Sequence, residues 1–167
     1  MDAIPYIGIA AFGSGQGKTR LIVALLEEFA RHGLSAAVLK HGQHVSWPAE
    51  KDSSLFMQAG AKAALVVSPA GWLLSAQPPE QPDFAAALRM LQQSCQADIL
   101  LVEGYKQGSQ PKLLLTEECL QQQQLLPHTV AIISDTLQHV TLPCFSSTDT
   151  QGIAGFILSY CGIGGGV

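Results

Sequence analysis

The sequence predicts an α/β fold: a mostly parallel sheet with helices on both faces and one small antiparallel strand pair. Short apolar runs alternate along the chain with segments of helical periodicity, which favours strand–helix–strand units. Residues 98–103, DILLVE, are apolar without alternating, as is typical of a strand buried on both faces. Apolar residues make up 47% of the 167 residues and charged residues 13%, which is enough for a substantial core.

The first half of the chain predicts two strands that flank a helix, then a short helix and a strand pair. Apolar residues recur at helical spacing from Leu21 to Phe29, and Gly33 is a suitable helix stop. Residues 69–71, PAG, are typical of the turn in a hairpin. The predicted elements are the strand Pro5–Ala11, the helix Arg20–Gly33, the strand Ser35–Lys40, the helix Ser53–Gly60 and the strand pair Lys62–Ser68 and Gly71–Ala76.

The second half predicts a helix, three strands and a closing helix. Phe84, Leu88 and Leu91 share one helical face, and Asp83 is a suitable N-terminal cap. The length predicts a single domain over residues 1–161 with a flexible tail at 162–167. The predicted elements are the helix Asp83–Gln96, the strands Asp98–Glu103, Lys112–Leu115 and Thr129–Ser134, and the helix Thr150–Tyr160.

Charge and composition exclude several classes of partner. The net charge of −4 gives no footprint for nucleic acid or an anionic membrane. The apolar runs are far shorter than the roughly 18 residues of a membrane span. The N-terminus has no basic region before its apolar run, so we expect a cytoplasmic protein. No CxxC pair occurs, and buried, reduced thiols are expected, rather than disulfides or zinc ligands, at Cys95, Cys119, Cys144 and Cys161.

Residues 12–20, FGSGQGKTR, form a glycine-rich loop that follows an apolar strand and opens a helix. A phosphate-binding loop requires this context, because backbone N–H groups and the helix N-terminus then face an anion. Lys18 is expected to reach the β- and γ-phosphates, and the Thr19 hydroxyl to bind Mg²⁺. Phe12 stands where the strict pattern has glycine, and the alternative is a turn that holds no ligand. The nucleotide-binding candidates are Gly13, Ser14, Gly15, Gln16, Gly17, Lys18, Thr19 and Arg20.

Glu103 ends the apolar strand of residues 98–103 and is the candidate catalytic residue. In open α/β sheets, ligands bind at the carboxyl edge of the strands. Glu103 is therefore predicted to hold Mg²⁺ through a water or to orient an attacking water. Gly104 is predicted to let the backbone turn close to the γ-phosphate. The alternative for Glu103 is a solvated carboxylate at a strand end.

Asp135 follows residues 131–134, AIIS, at the end of a later strand. A carboxylate there can accept hydrogen bonds from both N1–H and the N2 amino group of guanine, and adenine offers no such pair of donors. Asp135 is therefore a candidate for selecting GTP, and the alternative is a carboxylate that caps the next turn.

Charged residues after the second strand supply weaker candidates. Lys40 is placed to meet a phosphate. Asp52 is a candidate Mg²⁺ ligand or, equally, a cap for the short helix that follows. His41 and His44 form an H-x-x-H pair, but two ligands without a third nearby are weak evidence for a metal.

Five motifs in order along the chain resemble the MobB family of molybdopterin-guanine dinucleotide biosynthesis. They are AAFGSGQGKT (10–19), LKHGQH (39–44), KDSSLFMQAGA (51–61), DILLVEGYK followed by PK (98–106 and 111–112), and VAIISD (130–135). Two features depart from the family pattern. The phosphate loop is longer and has Phe12 where a small residue is usual, and the segment between His44 and Lys51 is short and lacks aspartates.

The resemblance implies a GTP-binding protein with weak intrinsic GTPase activity that uses Mg²⁺ and forms a homodimer. It also implies a role in assisting MobA, the guanylyltransferase that joins GMP to molybdopterin, with molybdopterin itself a further candidate ligand.

Two other nucleotide-dependent classes of protein also have phosphate-binding loops. An ATP-dependent synthetase of the dethiobiotin or cobyric acid type also has a longer phosphate loop, but Asp135 and the VEGYK segment favour the GTP-binding adapter. A P-loop kinase needs an arginine-bearing lid, and the three arginines, Arg20, Arg31 and Arg89, all lie in predicted helices.

Overall fold

The structure is a computed structural model that describes residues 4–42, 52–77, 83–117, 125–136 and 141–164. It divides into two compact units, one of residues 42–85 and one of residues 1–41 with 86–167. In chain order the elements are β1 Tyr6–Ala11, α1 Lys18–Arg31, β2 Ala36–Lys40, α2 Asp52–Gln58, β3 Ala63–Ser68, β4 Gly71–Ala76, α3 Phe84–Ser94, β5 Ile99–Glu103, β6 Lys112–Leu115, β7 Thr129–Ile133, β8 Cys144–Phe145 and α4 Thr150–Tyr160.

The larger unit contains a six-stranded sheet in the order β2-β5-β1-β6-β7-β8. Every neighbouring pair in this sheet runs parallel. The carboxyl ends of all its strands therefore meet at one edge, where Glu103 lies opposite Ile9 of β1 on one side and Lys40 of β2 on the other. The predicted fold, a mostly parallel sheet with helices and a small antiparallel pair, is confirmed.

Helices α1 and α4 pack against one face of this sheet and form the main core with it. The burial follows the helical period, because α1 turns one apolar stripe toward the strands and keeps Glu27 and Arg31 exposed. The fully buried members contributed by the two helices and the central strands include Ile7, Ile9, Leu25, Phe29, Leu101, Leu113, Ile153 and Ile157.

The other face of the sheet carries a smaller apolar cluster near the carboxyl edge. Ala10 and Leu114 are fully buried there beside Leu126, and Phe12 and Leu125 pack against them. The first residue of the loop after β1 is thus anchored in apolar contacts.

The smaller unit contains α2 and the antiparallel pair β3–β4. The pair runs in register from Ala63 opposite Ala76 to Ser68 opposite Gly71. Its turn has Gly71 at φ 141°, a conformation that favours glycine. Large apolar side chains of the pair are exposed: Leu65, Val66, Val67, Trp72, Leu73 and Leu74.

Some element boundaries differ from those predicted. Helix α1 begins at Lys18 rather than Arg20, because Gly17 takes the left-handed N-cap position at φ 80°. Gly33 follows the helix at φ 72° and its N–H donates to the Ala30 carbonyl, which is the stop the sequence predicts. Strand β8 was not predicted. The prediction that the cysteines are buried is wrong for Cys144, which is exposed, and Cys95 and Cys161 are only partly buried. The assignments of residues 1–161 to one domain and of residues 162–167 to a flexible tail stay predictions, and residues 165–167 lie outside the described part of the chain.

Candidate functional site

The loop between β1 and α1 has the backbone of an anion site. Gly15 and Gly17 adopt φ values of 75° and 80°, which let the chain curl tightly before the helix. Among the described residues, no side chain caps the first turn of α1, and that turn carries no acidic residue. Its N–H groups and the partial positive charge of the helix N-terminus are therefore available to a negatively charged ligand.

Phe12 is compatible with this loop although the strict motif has glycine at its position. Non-glycine residues with a positive φ in the described chain are Tyr105 and His128, so the backbone at Phe12 does not require glycine. Its side chain packs against the cluster of Ala10, Leu114 and Leu126. The substitution thus ties the start of the loop to the sheet.

A cavity of about 350 Å³ opens beside the loop and collects most of the predicted site residues. Lys18 projects its ammonium onto the loop, where Nζ donates to the Gly13 carbonyl oxygen at 2.9 Å. Glycines, hydroxyls and cations dominate the wall, as suits a phosphate. The residues lining the cavity are Ser14, Gly15, Gly17, Lys18, Thr19, Arg20, Lys40 and Glu103.

Glu103 is the acidic residue of this wall, and its side chain is only 11% exposed. The Thr19 hydroxyl donates to Glu103 Oε2 at 3.4 Å, and Lys40 Nζ lies 3.4 Å from the same oxygen. The structure thus joins the ends of β2 and β5 to the first turn of α1 through one carboxylate.

The oxygen atoms of Thr19 and Glu103 fit Mg²⁺. This ion prefers oxygen ligands and takes one or two from the protein, with phosphates and waters completing its octahedron. Within the described ranges, no cluster of three or more His, Cys, Asp or Glu side chains could hold a metal by itself. The residues present therefore suit a metal that arrives with a nucleotide.

Gly104 allows a close approach between two strand ends. It adopts φ 96°, and a Cβ at this position would lie 3.1 Å from both the Cβ and the carbonyl oxygen of His41. The His41 N–H donates to the Glu103 carbonyl oxygen at 2.9 Å, and the His41 ring lies 4.4 Å from that of Tyr105. Glycine suits this position because another residue would be strained at this φ and its Cβ would require His41 to shift by a few tenths of an ångström.

Asp135 follows β7 at the same sheet edge but outside the set that lines the cavity. Its Oδ1 accepts hydrogen bonds from Ser146 Oγ at 2.6 Å and the Ser147 N–H at 2.8 Å, and its Oδ2 accepts one from Ser147 Oγ at 2.6 Å. These bonds from Ser146 and Ser147 lower the pKa of Asp135. An ionised carboxylate offers about four acceptor sites, and the serine residues already occupy three. Accepting hydrogen bonds from both guanine N–H groups would therefore require one of the serine hydrogen bonds to break.

Of the predicted site residues whose side chains the structure describes, Gly13, Gln16, Gly104 and Asp135 are not among those that line the cavity. Gln16 is exposed. Asp52 begins α2, but its side chain lies outside the described part of the structure, as do His44 and Lys51.

Lys106 was missed by sequence reasoning, although it ends the VEGYK segment. Its Nζ donates to the Phe12 carbonyl oxygen at 2.5 Å. The segment was matched as a whole, and nothing in the sequence places its lysine against a loop 94 positions earlier.

Three features together define the P-loop NTPase-like class. They are a glycine-rich loop after an inner strand of a parallel sheet, a lysine and a threonine at the start of the next helix, and a carboxylate at the end of the neighbouring strand. Comparison with known proteins gives the family within this class. The MobB family, described as Molybdopterin guanine dinucleotide synthesis protein B, matches residues 6–135. The chain belongs to the MobB family.

Individual relatives agree with this assignment. The chain is 28% identical over 165 residues to a molybdopterin-guanine dinucleotide biosynthesis adapter protein of Escherichia coli, covering 94% of this chain and 93% of the relative. A protein of the same description from Haemophilus influenzae is 30% identical over 116 residues, covering 68% and 64%. The crystal structure of Bacillus subtilis MobB superposes with a TM-score of 0.76 at 27% identity, covering 97% and 99%.

The helices that the structure describes include none that is long and apolar enough to cross a membrane.

Proposed function

We propose that this protein is a GTP-binding adapter in molybdopterin-guanine dinucleotide biosynthesis that assists the MobA guanylyltransferase in the cytoplasm. The observation that carries the proposal is one cavity, lined by the phosphate loop, Thr19 and Glu103, in a chain of the MobB family. Relatives over nearly the whole chain are described as adapter proteins of this pathway.

The phosphates are bound by the loop and by cations around it. Lys18 exchanges the Gly13 carbonyl for the β- and γ-phosphates, which offer stronger, charge-assisted hydrogen bonds. The other binding residues are Gly13, Ser14, Gly15, Gln16, Gly17, Thr19, Arg20, Lys40 and Gly104, with Asp135 at the base.

When bound, Mg²⁺ would neutralise negative charge on the phosphates. The Thr19 hydroxyl and the Glu103 carboxylate would hold it, with Asp52 as a further candidate. Glu103 also accepts a proton or hydrogen bond from the attacking water, which makes it the catalytic candidate. Lys40 forms an ion pair with Glu103, because its ammonium lies 3.4 Å from Oε2.

Hydrolysis by the protein alone is slow in this proposal. An arginine directed at the γ-phosphate is worth roughly 10³–10⁵ in rate to GTPases that use one. Arg20 lies on the first turn of α1, Arg31 at its far end beside Glu28, and Arg89 on α3. Arg20 lines the cavity from the helix, and none of the three lies on a loop that could bring an arginine to the γ-phosphate, which supports an accessory role with weak GTPase activity.

The exposed apolar pair β3–β4 supports a homodimer. Four large apolar side chains, Leu65, Val67, Trp72 and Leu74, share one face of these two short strands and are exposed, which is unusual for a monomeric protein. A second copy of the chain covers such a face by a symmetric contact.

The adapter role is tested by reconstitution. MobA is assayed for transfer of GMP from GTP to molybdopterin, alone and with an equimolar amount of this protein or its Lys18→Ala variant. The parent is expected to raise the transfer rate at limiting GTP and the folded variant to do so less. No effect of the parent on MobA contradicts the adapter role.

A further inference from the structure

We propose that Lys106 is a positioning residue of the nucleotide site, which holds the phosphate loop in its binding conformation through the Phe12 carbonyl. The inference rests on the proposed GTP binding and adds a residue to that site. The distance from Lys106 Nζ to the Phe12 oxygen is 2.5 Å, and the side chain is half-buried. A hydrogen bond from an ammonium is stronger than one between neutral groups.

The backbone after β5 is bent so that Lys106 returns to the loop. Gly104 and Tyr105 have φ values of 96° and 47°, so two consecutive residues take left-handed conformations directly after Glu103. Such a conformation costs a non-glycine residue energy and persists only where the surroundings hold it. At Tyr105 those surroundings include the His41 ring, which packs against the Tyr105 ring.

Buried polar side chains hold the bend. Gln110, which is 1% exposed, donates from Nε2 to the Tyr105 carbonyl oxygen at 2.8 Å. Lys112 is fully buried, and its Nζ donates to the carbonyl oxygens of Gly108 at 2.7 Å and Pro127 at 2.5 Å. Removing a lysine from water is costly unless its N–H groups find acceptors. These hydrogen bonds to the Tyr105 and Gly108 carbonyls restrain the turn that carries Lys106.

The consequence for the phosphate loop follows from peptide geometry. A peptide unit is planar, so fixing the Phe12 carbonyl also fixes the direction of the Gly13 N–H. Lys18 donates a hydrogen bond to the next carbonyl, that of Gly13. In the proposed function this bond breaks when Lys18 binds phosphate. Lys106 then remains as the tether at the start of the loop. A loop already in its binding conformation loses less freedom when the ligand arrives, which raises affinity.

The test compares Lys106→Met and Lys106→Arg with the matched control Lys62→Met, which removes an exposed lysine from the smaller unit. Affinity for Mg²⁺–GTP is measured by calorimetry, and thermal unfolding is followed without nucleotide. Lys106→Met is expected to weaken GTP about tenfold, the effect of one charged hydrogen bond. Lys106→Arg keeps a donor and is expected to stay within about threefold of the parent. Lys62→Met is expected to bind like the parent.

Each outcome decides a different question. Parental affinity in Lys106→Met, or a lower unfolding temperature with unchanged affinity, overturns the positioning role. Lys106→Arg binding as weakly as Lys106→Met also overturns it, because the donor would not matter. If Lys106→Met does not fold, Lys106→Gln carries the same expectation and the same contradiction. If the parent binds no GTP, or Lys18→Ala binds as the parent does, the proposed function fails and this inference with it.

Discussion

Glu103 is the residue at which the hydroxyl of Thr19 and the ammonium of Lys40 converge. Both lie 3.4 Å from the same carboxylate oxygen, in a side chain that is mostly buried. A carboxylate so placed has two uses in one pocket, since it can hold a metal with Thr19 or polarise a water. The ion pair with Lys40 orients the carboxylate.

Replacing Glu103 by Gln is expected to impair hydrolysis more than binding. The substitution keeps the shape and removes the negative charge, so Mg²⁺-dependent turnover should fall about 10²-fold or more, as for loss of a general base. The phosphate loop is untouched, so the Kd for GTP should change far less. Single-turnover rates and calorimetry measure the two quantities.

Glu27→Gln is the matched control for this prediction, because Glu27 is an exposed carboxylate on α1. It is expected to leave both quantities unchanged. Equal losses of binding and turnover in Glu103→Gln would contradict the assigned role.

Asp135 is the second residue whose proposed role can be tested by substitution. Asp135→Asn replaces an acceptor by a donor, so GTP should lose affinity and xanthosine triphosphate, whose C2 carbonyl accepts, should gain. Asp98→Asn is the control, since Asp98 also accepts hydrogen bonds from a serine N–H and hydroxyl but lies at the start of β5. The Asp98→Asn variant is expected to have the same nucleotide preference as the parent. An unchanged preference for GTP in Asp135→Asn means that Asp135 does not read the base.

At the scale of elements, most of the larger sheet could be predicted from local pattern. The apolar run of β5 is continuous because that strand lies between β2 and β1 with both faces covered. Strand β8 has two residues, Cys144 and Phe145, which is too short for any period to be visible. Its position is set instead by pairing with β7, a long-range contact that sequence pattern does not encode.

The sequence predicts only those site residues that belong to a local motif or stand at the end of a strand. The loop and Glu103 were found because a strand delivers each to the same edge. Lys106 was not, because its role depends on left-handed turns at Gly104 and Tyr105 and on side chains buried several residues later. Motif matching also gave no sign that Asp135 already binds Ser146 and Ser147.

A pH-dependent contact joins the starts of β2 and β5. The Ser35 hydroxyl and N–H donate to Asp98 at 2.7 Å each and hold the Asp98 pKa below its ordinary value of 3.8. A depressed folded-state pKa adds stability above the unfolded-state value, and that stability is lost as the pH falls through the folded-state value. Asp98→Asn should therefore unfold at a lower temperature than the parent at pH 7.

The difference should shrink only below about pH 3.8, the ordinary pKa. Thermal unfolding of both proteins between pH 7 and about pH 2, across the ordinary Asp range, measures it. A difference that persists unchanged to the lowest pH would show that the contact owes nothing to the charge of Asp98.

At the scale of the whole molecule, the proposed dimer depends on the exposed face of β3–β4. Val67 and Trp72 pair across the two strands and are 72% and 56% exposed. Placing a charge there, as in Val67→Lys, should shift the mass in solution from dimer to monomer, because a buried unpaired charge is costly. Val23→Lys is the control, since Val23 is 49% exposed on α1 in the larger unit. Light scattering measures the mass, and a parent that is monomeric at micromolar concentration contradicts the dimer.

The central claim is that the cavity at the carboxyl edge of the sheet binds GTP, and calorimetric titration of the parent with GTP and with ATP in the presence of Mg²⁺ tests it most directly. The phosphate loop serves both nucleotides equally, so any preference must come from the base. We expect GTP to bind at least about tenfold more tightly than ATP, the worth of one good hydrogen-bonding contact to the base. Equal affinity for the two nucleotides, a preference for ATP or no heat of binding with either would contradict the account.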